Sequence, residues 1–181
     1  FTNKFFNAVF RYFHVIPIFR KKDVASGEKP DNTEAFSKCH DYLNEGRTFL
    51  IFPEGSSYYE LKLREIKTGT ARIALSFDQL KNFESNLKII PIALDYSDSI
   101  QFRSVVSVTV HPSLSISDYR AVYKLDSFKG VTLLTEAIRK TLAKSIPQTS
   151  DSEQENFLIK AHRFYTTYHE PNCGFYENAG R

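Results

Sequence analysis

The chain has 181 residues, of which 41% are hydrophobic and 25% are charged, and its formal net charge is +3. This composition is typical of a globular protein and excludes a disordered or a fibrous chain. So small a net charge gives no reason to expect nucleic acid as a partner. Two cysteines, Cys39 and Cys173, are too few for a disulfide framework and favour a reducing compartment.

The sequence contains no methionine and begins with Phe1. A natural reading frame begins with methionine, so we expect residues to be missing before Phe1. The longest apolar runs, residues 49–52 and 89–94, are much shorter than the roughly 20 residues that a membrane-spanning helix needs. We therefore expect a chain that does not cross a bilayer but can lie on one.

The first third of the chain alternates helix and strand patterns. Residues 1–13 place phenylalanines at three- to five-residue steps, which puts them on one face of a helix. Residues 14–19 are typical of a short strand. Asp31 begins a second helix, which Gly46 ends. Residues 47–52 have four apolar side chains in a row and predict a buried strand.

The remaining patterns continue this alternation to the end of the chain. They predict a helix after residues 67–69, a buried strand at 87–94, a half-buried strand at 102–110, a helix at 131–145 and an amphipathic helix at 157–168.

This order predicts an α/β fold, in which a layered, mostly parallel or mixed sheet is flanked by helices. We expect residues 1–146 to form one domain. Residues 147–181 should form a polar linker followed by the C-terminal amphipathic helix.

The most informative segment is Phe-Pro-Glu-Gly-Ser-Ser at residues 52–57, directly after a predicted buried strand. In open α/β sheets, ligands bind at the carboxyl ends of strands. A turn there presents the Glu54 carboxylate and the serine hydroxyls, and Gly55 permits a tight turn or the close approach of a ligand. We interpret it as a receptor for a hydroxylated, phosphorylated small molecule; the alternative is an ordinary turn with a solvated glutamate.

Three further residues favour a binding site. Arg20 ends a predicted strand, so we expect it at the same sheet edge. Lys67 precedes a helix, and a cation beside a helix N-terminus favours phosphate. Pro91 lies within an apolar strand and limits it to an edge, a bulge or a strand start. The alternatives are a solvated strand end for Arg20 and an ordinary helix start for Lys67.

Together these residues resemble the glycerolphosphate acyltransferase family, which includes lysophosphatidic acid, glycerol-3-phosphate and dihydroxyacetone-phosphate acyltransferases. Residues 14–20 resemble the family's Gly-x-Ile-x-x-x-Arg strand, and residues 52–58 resemble its Phe-Pro-Glu-Gly-Thr-Arg-Ser block. Residues 67–69 resemble its Lys-x-Gly block, and residues 90–92 resemble its Val-Pro-Val strand. The order and spacing of these blocks fit from Phe1 to about residue 142.

The chain departs from the family pattern at three places. His14 stands where the family has glycine, and Ser57 stands where it has an arginine that helps to hold phosphate. Some eukaryotic-type glycerol-3-phosphate or dihydroxyacetone-phosphate acyltransferases also have small residues there. The family's His-x4-Asp block is absent, because none of the five histidines has that spacing to an aspartate. We expect this block before Phe1, and we expect the chain alone to be inactive.

The resemblance implies transfer of a fatty acyl group from a thioester, acyl-CoA or an acyl carrier protein. The acceptor would be a hydroxyl of glycerol-3-phosphate, dihydroxyacetone phosphate or lysophosphatidic acid, in phospholipid synthesis. The histidine of the absent block would be the general base. The resemblance implies neither a metal, nor a cofactor, nor a covalent acyl-enzyme.

It also implies a set of substrate-binding residues, which are Arg20, Glu54, Gly55, Ser56, Lys67, Gly69 and Pro91. The two cations would hold the phosphate of the acceptor. The Glu-Gly-Ser turn would orient its glycerol part, and the strand around the proline would help to shape the acyl-donor site.

The aromatic stripe of residues 1–13 has two interpretations. One is packing in the core. The other is insertion into a membrane surface beside the basic residues 20–22. Because the family's substrates are lipids, we expect a membrane-associated protein at the cytoplasmic face. The alternative function is a non-catalytic lipid- or phosphate-binding module with the same fold.

Overall fold

The computed structural model describes residues 8–10, 12–18, 32–56, 62–96, 106–146 and 148–169. In chain order the elements are α1 (Thr33–Asn44), α2 (Gly69–Leu80), β1 (Lys88–Ile89), β2 (Ile92–Tyr96), β3 (Val106–Val110), β4 (Leu114–Ser115), a 3-10 turn (Ile116–Tyr119), α3 (Arg120–Leu125), α4 (Ser127–Leu142) and α5 (Ser152–His169). The described residues form a mixture of helices and strands, which is compatible with the predicted α/β class. No helix within these ranges is long and apolar enough to cross a membrane.

Helices α1 and α2 form close to where the sequence predicts them. Gly46, with a φ of 75°, ends α1, and its N–H donates to the Leu43 carbonyl at 3.1 Å. The two helices pack together, and His40 Nε2 lies 2.9 Å from Ser76 Oγ. The apolar residues of α2 are all buried except the last, Leu80; they are Ala71, Ile73, Ala74, Leu75 and Phe77.

The described strands pair only in the antiparallel sense, β1 with β4 and β2 with β3. The alternation of helices and strands predicted a mostly parallel or mixed sheet, and no parallel pair occurs among the described residues. Parallel strands need a long crossover between them, whereas neighbouring strands can fold back as a hairpin. Here the strands that are close in sequence pair as an antiparallel hairpin.

The prediction of a buried strand at residues 47–52 is wrong. This segment is irregular, with no strand partner in the described part of the chain, and Leu50 and Phe52 are 72% and 67% exposed. Residues 14–18, the described part of another predicted strand, are irregular as well. A run of apolar side chains predicts burial, but it does not supply the neighbouring backbone that a strand needs.

Pro91 interrupts an otherwise continuous hairpin. Two residues separate β1 from β2, whereas three separate β3 from β4 on the facing side, so the pairing contains a β-bulge. At this point the His111 N–H donates to the Pro91 carbonyl at 3.0 Å. Pro91 therefore stands directly before a strand and at a bulge, as its position in the sequence predicted.

Helix α2 lies at the centre of the core. Leu75 of α2, Ile116 of the 3-10 turn and Leu134 of α4 are all fully buried, so these three elements meet there. Helix α4 starts four residues before its predicted range, because the Asp126 side chain accepts from the Lys129 N–H at 3.0 Å and caps it. The sequence did not predict α3, β4 or the 3-10 turn.

Asp78, near the end of α2, is a buried carboxylate whose side chain is 0% exposed. Arg120 donates to it twice, from Nε to Oδ2 at 2.7 Å and from Nη2 to Oδ1 at 2.9 Å. The backbone N–H of Ser85 donates to Oδ1 at 3.2 Å, and the Ser85 hydroxyl donates to the same oxygen. The carboxylate therefore links α2, the loop after it and the start of α3.

Two opposing effects act on the pKa of Asp78. Burial disfavours the charged form, but the hydrogen bonds and charge of Arg120, together with the hydrogen bonds from Ser85, outweigh it. The pKa of Asp78 therefore lies below its ordinary value, and the same pairing raises the pKa of Arg120.

Replacement of Asp78 by alanine should lower the free energy of unfolding by about 3–5 kcal/mol, because Arg120 would lose its buried partner. Urea unfolding measures this change. The matched control is Glu136→Ala, which removes a solvent-exposed pair to Arg139 (2.7 Å) and should change stability little. Similar losses in the two variants would contradict the special role of the buried pair.

The sign of the pH dependence follows from the lowered pKa. Asp78 stabilises the folded state above its unfolded pKa of about 3.9, and this stabilisation is lost as the pH falls through the folded pKa. The stability of the unmodified protein should therefore fall more steeply in acid than that of Asp78→Asn. The difference between them should be constant at neutral pH.

Candidate functional site

The Phe-Pro-Glu-Gly turn lies against the segment that leads into α2. The Lys67 N–H donates to the Pro53 carbonyl at 2.7 Å, and the Gly55 N–H donates to the Phe52 carbonyl at 3.2 Å. A Cβ atom on Gly55 would lie 3.8 Å from Lys67 Cγ. The two sequence blocks that carry the predicted site are therefore brought into contact.

Glu54 is half-buried within this turn. Its Oε2 accepts from the backbone N–H of Arg64 at 3.2 Å. This bond ties the returning chain to the turn, so Glu54 is not the fully solvated glutamate of the alternative interpretation. A carboxylate has about four lone-pair positions. The bond to Arg64 occupies one position on Glu54, and another can accept from a ligand hydroxyl.

Lys67 presents its amine to solvent beside the start of α2. Its Nζ lies 3.2 Å from Glu65 Oε2, and the two side chains are 64% and 85% exposed. Such an exposed pair contributes little, so an anionic ligand can replace Glu65. The free N–H groups of a helix's first turn also favour an anion, and α2 begins at Gly69, two residues after Lys67.

The first turns of α2 add two polar groups that the sequence analysis missed. Thr70 Oγ1 is buried and has no hydrogen-bond partner among the described residues. Arg72 is exposed, and its guanidinium carbon lies 5.2 Å from the centroid of the Phe36 ring. The sequence could have identified Arg72 as a candidate, because it is a cation within the first turns of the helix that follows Lys-x-Gly.

The structure describes six of the seven implied site residues. Glu54, Gly55 and Lys67 lie together where the turn contacts the lysine. Ser56 follows Gly55 in the chain and is exposed, and Gly69 is the first residue of α2. Pro91 is buried at the bulge between β1 and β2, on a separate element. Arg20 lies outside the described residues, as does Ser57.

The hairpin beside Pro91 has an uncovered apolar face. On β2, the side chains of this face alternate with Ala93, which is buried on the opposite face. They are 38–64% exposed and form three facing pairs: Ile92 with Val110, Leu94 with Val108, and Tyr96 with Val106.

The described residues thus combine a Glu-Gly turn that contacts a lysine at a helix start with an exposed apolar sheet face elsewhere in the chain. The sequence model of the family described as Acyltransferase matches residues 1–95. This range covers the turn, Lys67, α2 and Pro91. The chain therefore belongs to this family, that of the glycerolphosphate and lysophosphatidic acid acyltransferases, which confirms the resemblance. Searches of curated proteins and of solved structures find no match.

Gly55 has a φ of 68°, so we expect Gly55→Ala to lower the free energy of unfolding by about 1–2 kcal/mol through backbone strain alone. Gly69→Ala is the matched control. It lies in a helix, its Cβ would meet nothing within 4 Å, and it should be neutral or stabilising by about 0.4–1 kcal/mol. Chemical denaturation measures both changes, and an equal effect of the two would rule out left-handed strain as the cause.

Proposed function

We propose that this chain binds the substrates of an acyl transfer. A fatty acyl group would pass from a thioester, acyl-CoA or an acyl carrier protein, to a hydroxyl of glycerol-3-phosphate, dihydroxyacetone phosphate or lysophosphatidic acid. The observation that carries the proposal is the 2.7 Å bond between the Lys67 N–H and the Pro53 carbonyl. It places the amine-bearing residue and the Glu-Gly turn side by side, within the part of the chain that the family model matches.

The acceptor phosphate is assigned to Lys67 and the start of α2. The Nζ amine supplies a positive charge, and the first N–H groups of the helix supply donors aimed along its axis. Arg72, within the first turns of α2, adds a second exposed cation. By the resemblance, Arg20 contributes to the same phosphate.

The glycerol part of the acceptor is assigned to the turn. Glu54 keeps acceptor capacity beyond its bond to the Arg64 N–H. Gly55 has no side chain to keep a ligand from the backbone, and Ser56 is exposed and adds a hydroxyl. Together they can orient a polyol without taking part in proton transfer.

The acyl chain of the donor is assigned to the uncovered face of the β2–β3 hairpin. Five residues of strand extend over roughly 17 Å, at about 3.4 Å per residue, and β2 and β3 have five residues each. A fatty acyl chain that covers this face removes apolar surface of both partners from water. Pro91 lies at one end of the face, which agrees with its implied place near the donor.

The reaction exchanges one ester-type bond for another. The acceptor oxygen forms a bond to the thioester carbonyl carbon, the carbon–sulfur bond breaks, and the hydroxyl proton passes by way of a general base to the leaving thiolate. Such a base contributes about 10²–10⁴-fold. None of the five histidines has the His-x4-Asp spacing, so the proposal gives none of them this role.

The alternative is a non-catalytic module that binds lipid or phosphate with the same residues. A His-x4-Asp block before Phe1 would favour the enzyme, and its absence there would favour the module. Incubation of the whole protein with labelled acyl-CoA and acceptor separates the two functions. Turnover supports the transferase, whereas saturable binding without an acylated product supports the module.

We also propose that the protein works at the cytoplasmic face of a membrane. A lysophosphatidic acid acceptor and the acylated product are both lipids. The exposed apolar surface of the hairpin suits substrates of that kind.

Lys67→Ala in the whole protein should lower kcat/KM for a phosphorylated acceptor about 10- to 100-fold, the loss expected for a charged hydrogen bond of about 1.5–3 kcal/mol. With an acceptor of the same backbone but no phosphate, the variant and the unmodified protein should have similar kcat/KM. Lys124→Ala is the control, since Lys124 is an exposed lysine on α3. An equal loss with both acceptors would show that Lys67 has a structural role instead.

Val108→Asp should weaken transfer from long-chain donors by at least about tenfold, because a charge would replace apolar surface under the acyl chain. Transfer from a short-chain donor should change little. Ser107→Lys is the control for a charge on this strand, because Ser107 is exposed on the opposite face and pairs with Asp95, which a lysine complements. Steady-state kinetics over a series of chain lengths measures the effect; an effect independent of chain length would remove the acyl chain from this face.

A further inference from the structure

Glu54 takes its orientation from the segment that returns from the turn to α2, residues 62–66, which we call the return segment. The Arg64 N–H of this segment donates to Glu54 Oε2 at 3.2 Å. Two of its side chains reach the core, since Ile66 is 4% exposed and Leu63 packs against the buried cluster. The carboxylate is therefore held only as firmly as the backbone of the return segment.

A distant part of the chain pairs with the start of the return segment. Gln148 forms an antiparallel β-bridge with Lys62. Ile146 packs against the same buried cluster as Leu63, and Thr149 is 8% exposed. We call Ile146 and residues 148–151 the strap. The strap reaches the interior on both sides of the bridge and lies across the return segment.

The far end of the strap is fixed by the start of α5. Asp151 Oδ1 accepts from the N–H groups of Glu153 and Gln154, both at 2.9 Å, and caps the first turn of this helix. In return, the Ser150 N–H donates to Gln154 Oε1 at 3.1 Å. The strap is thus a short, hydrogen-bonded connection between α4 and α5.

We propose that the strap positions Glu54 for the acceptor. It fixes the return segment, whose Arg64 N–H then holds Glu54 Oε2 and leaves Oε1 for a hydroxyl of the glycerol part. The inference rests on the proposed function for the assignment of Glu54. The strap residues are positioning residues, because they act through the backbone of Lys62 and Arg64. They lie outside residues 1–95, the range that the family model matches.

Loss of the strap should alter recognition of the glycerol part and spare that of the phosphate. The Lys67 N–H has its own bond to the Pro53 carbonyl, at 2.7 Å, and buried Ile66 separates Lys67 from Arg64. The lysine should therefore keep its place when the strap is detached. For an orienting group, by contrast, a misplacement of about 1 Å can cost about 100-fold.

Thr149→Asp in the whole protein tests the proposal, because a charge at this buried position should detach the strap. With no ligand present, the Arg64 amide should exchange with deuterium about tenfold faster than in the unmodified protein. Glycerol-3-phosphate should bind about tenfold more weakly, whereas inorganic phosphate should bind equally well to both proteins. NMR-detected exchange and titration calorimetry measure these effects.

Thr132→Asp is the matched control, since Thr132 is an exposed threonine on α4, and it should change neither measurement. Thr149→Gly is a milder variant, should Thr149→Asp unfold. It removes the buried side chain and frees the backbone, so both effects should have the same direction.

A cross-link supplies a rescue. Directly opposed residues of an antiparallel pair have Cα atoms about 4.5–5.5 Å apart, which a disulfide can join. We therefore expect Lys62→Cys with Gln148→Cys, added to Thr149→Asp and oxidised, to restore both the slow exchange of Arg64 and the affinity for glycerol-3-phosphate. Reduction of the disulfide should remove both again.

Three results would overturn the proposal. They are an unchanged exchange rate of Arg64 in the Thr149 variants, equal losses of glycerol-3-phosphate and phosphate binding, and the same effects in Thr132→Asp. Equal losses for the two ligands would mean that the strap only supports the fold.

A separate assay of acyl transfer by the unmodified protein distinguishes this proposal from the proposed function. The exchange and binding measurements require no turnover. A protein that transfers no acyl group but binds glycerol-3-phosphate in a strap-dependent way would not be an enzyme, and the strap would remain a positioning element of a binding module.

Discussion

The buried pair of Asp78 and Arg120 constrains the rest of this structure. It fixes the last turn of α2 to the loop at Ser85 and to the first residue of α3. Because α2 is a rigid element, a fixed end also fixes the direction in which its first turn points. That first turn begins at Gly69, beside Lys67. The position of the candidate phosphate site therefore depends on an ion pair at the other end of the helix.

Helical periodicity was the most reliable guide to this fold. It located α1, α2 and α4, because a helix satisfies its own backbone and needs only an apolar face to pack. The run of apolar residues at 47–52 was a poorer guide, because the strand that it predicted would have needed hydrogen bonds from a distant part of the chain. Helical periodicity also missed α3, which has six residues and no buried side chain. The antiparallel pairing was equally hidden, since side-chain alternation is the same in both kinds of sheet.

The candidate site was predictable to a similar degree. Motifs identified Glu54, Gly55 and Lys67 as candidates, and the structure brings the turn and Lys67 into contact. The partner of Glu54 was not predictable, because it is a backbone N–H that almost any residue at position 64 could supply. The sequence also could not show which face of the β2–β3 hairpin is covered. Alternation separates the two faces, but only packing decides which one meets the core.

The bulge beside Pro91 sets this choice of faces. With one extra residue between β3 and β4, the valines of β3 point away from the core, whereas Leu114 of β4 packs against it. Since side chains alternate strictly, a shift of one residue exchanges the two faces of a strand. Surface connections usually tolerate changes of length, but residues 111–113 cannot lose one without turning Leu114 outward. This short stretch is thus expected to vary in composition during evolution while keeping its length, since its number of residues determines which side of the hairpin is exposed.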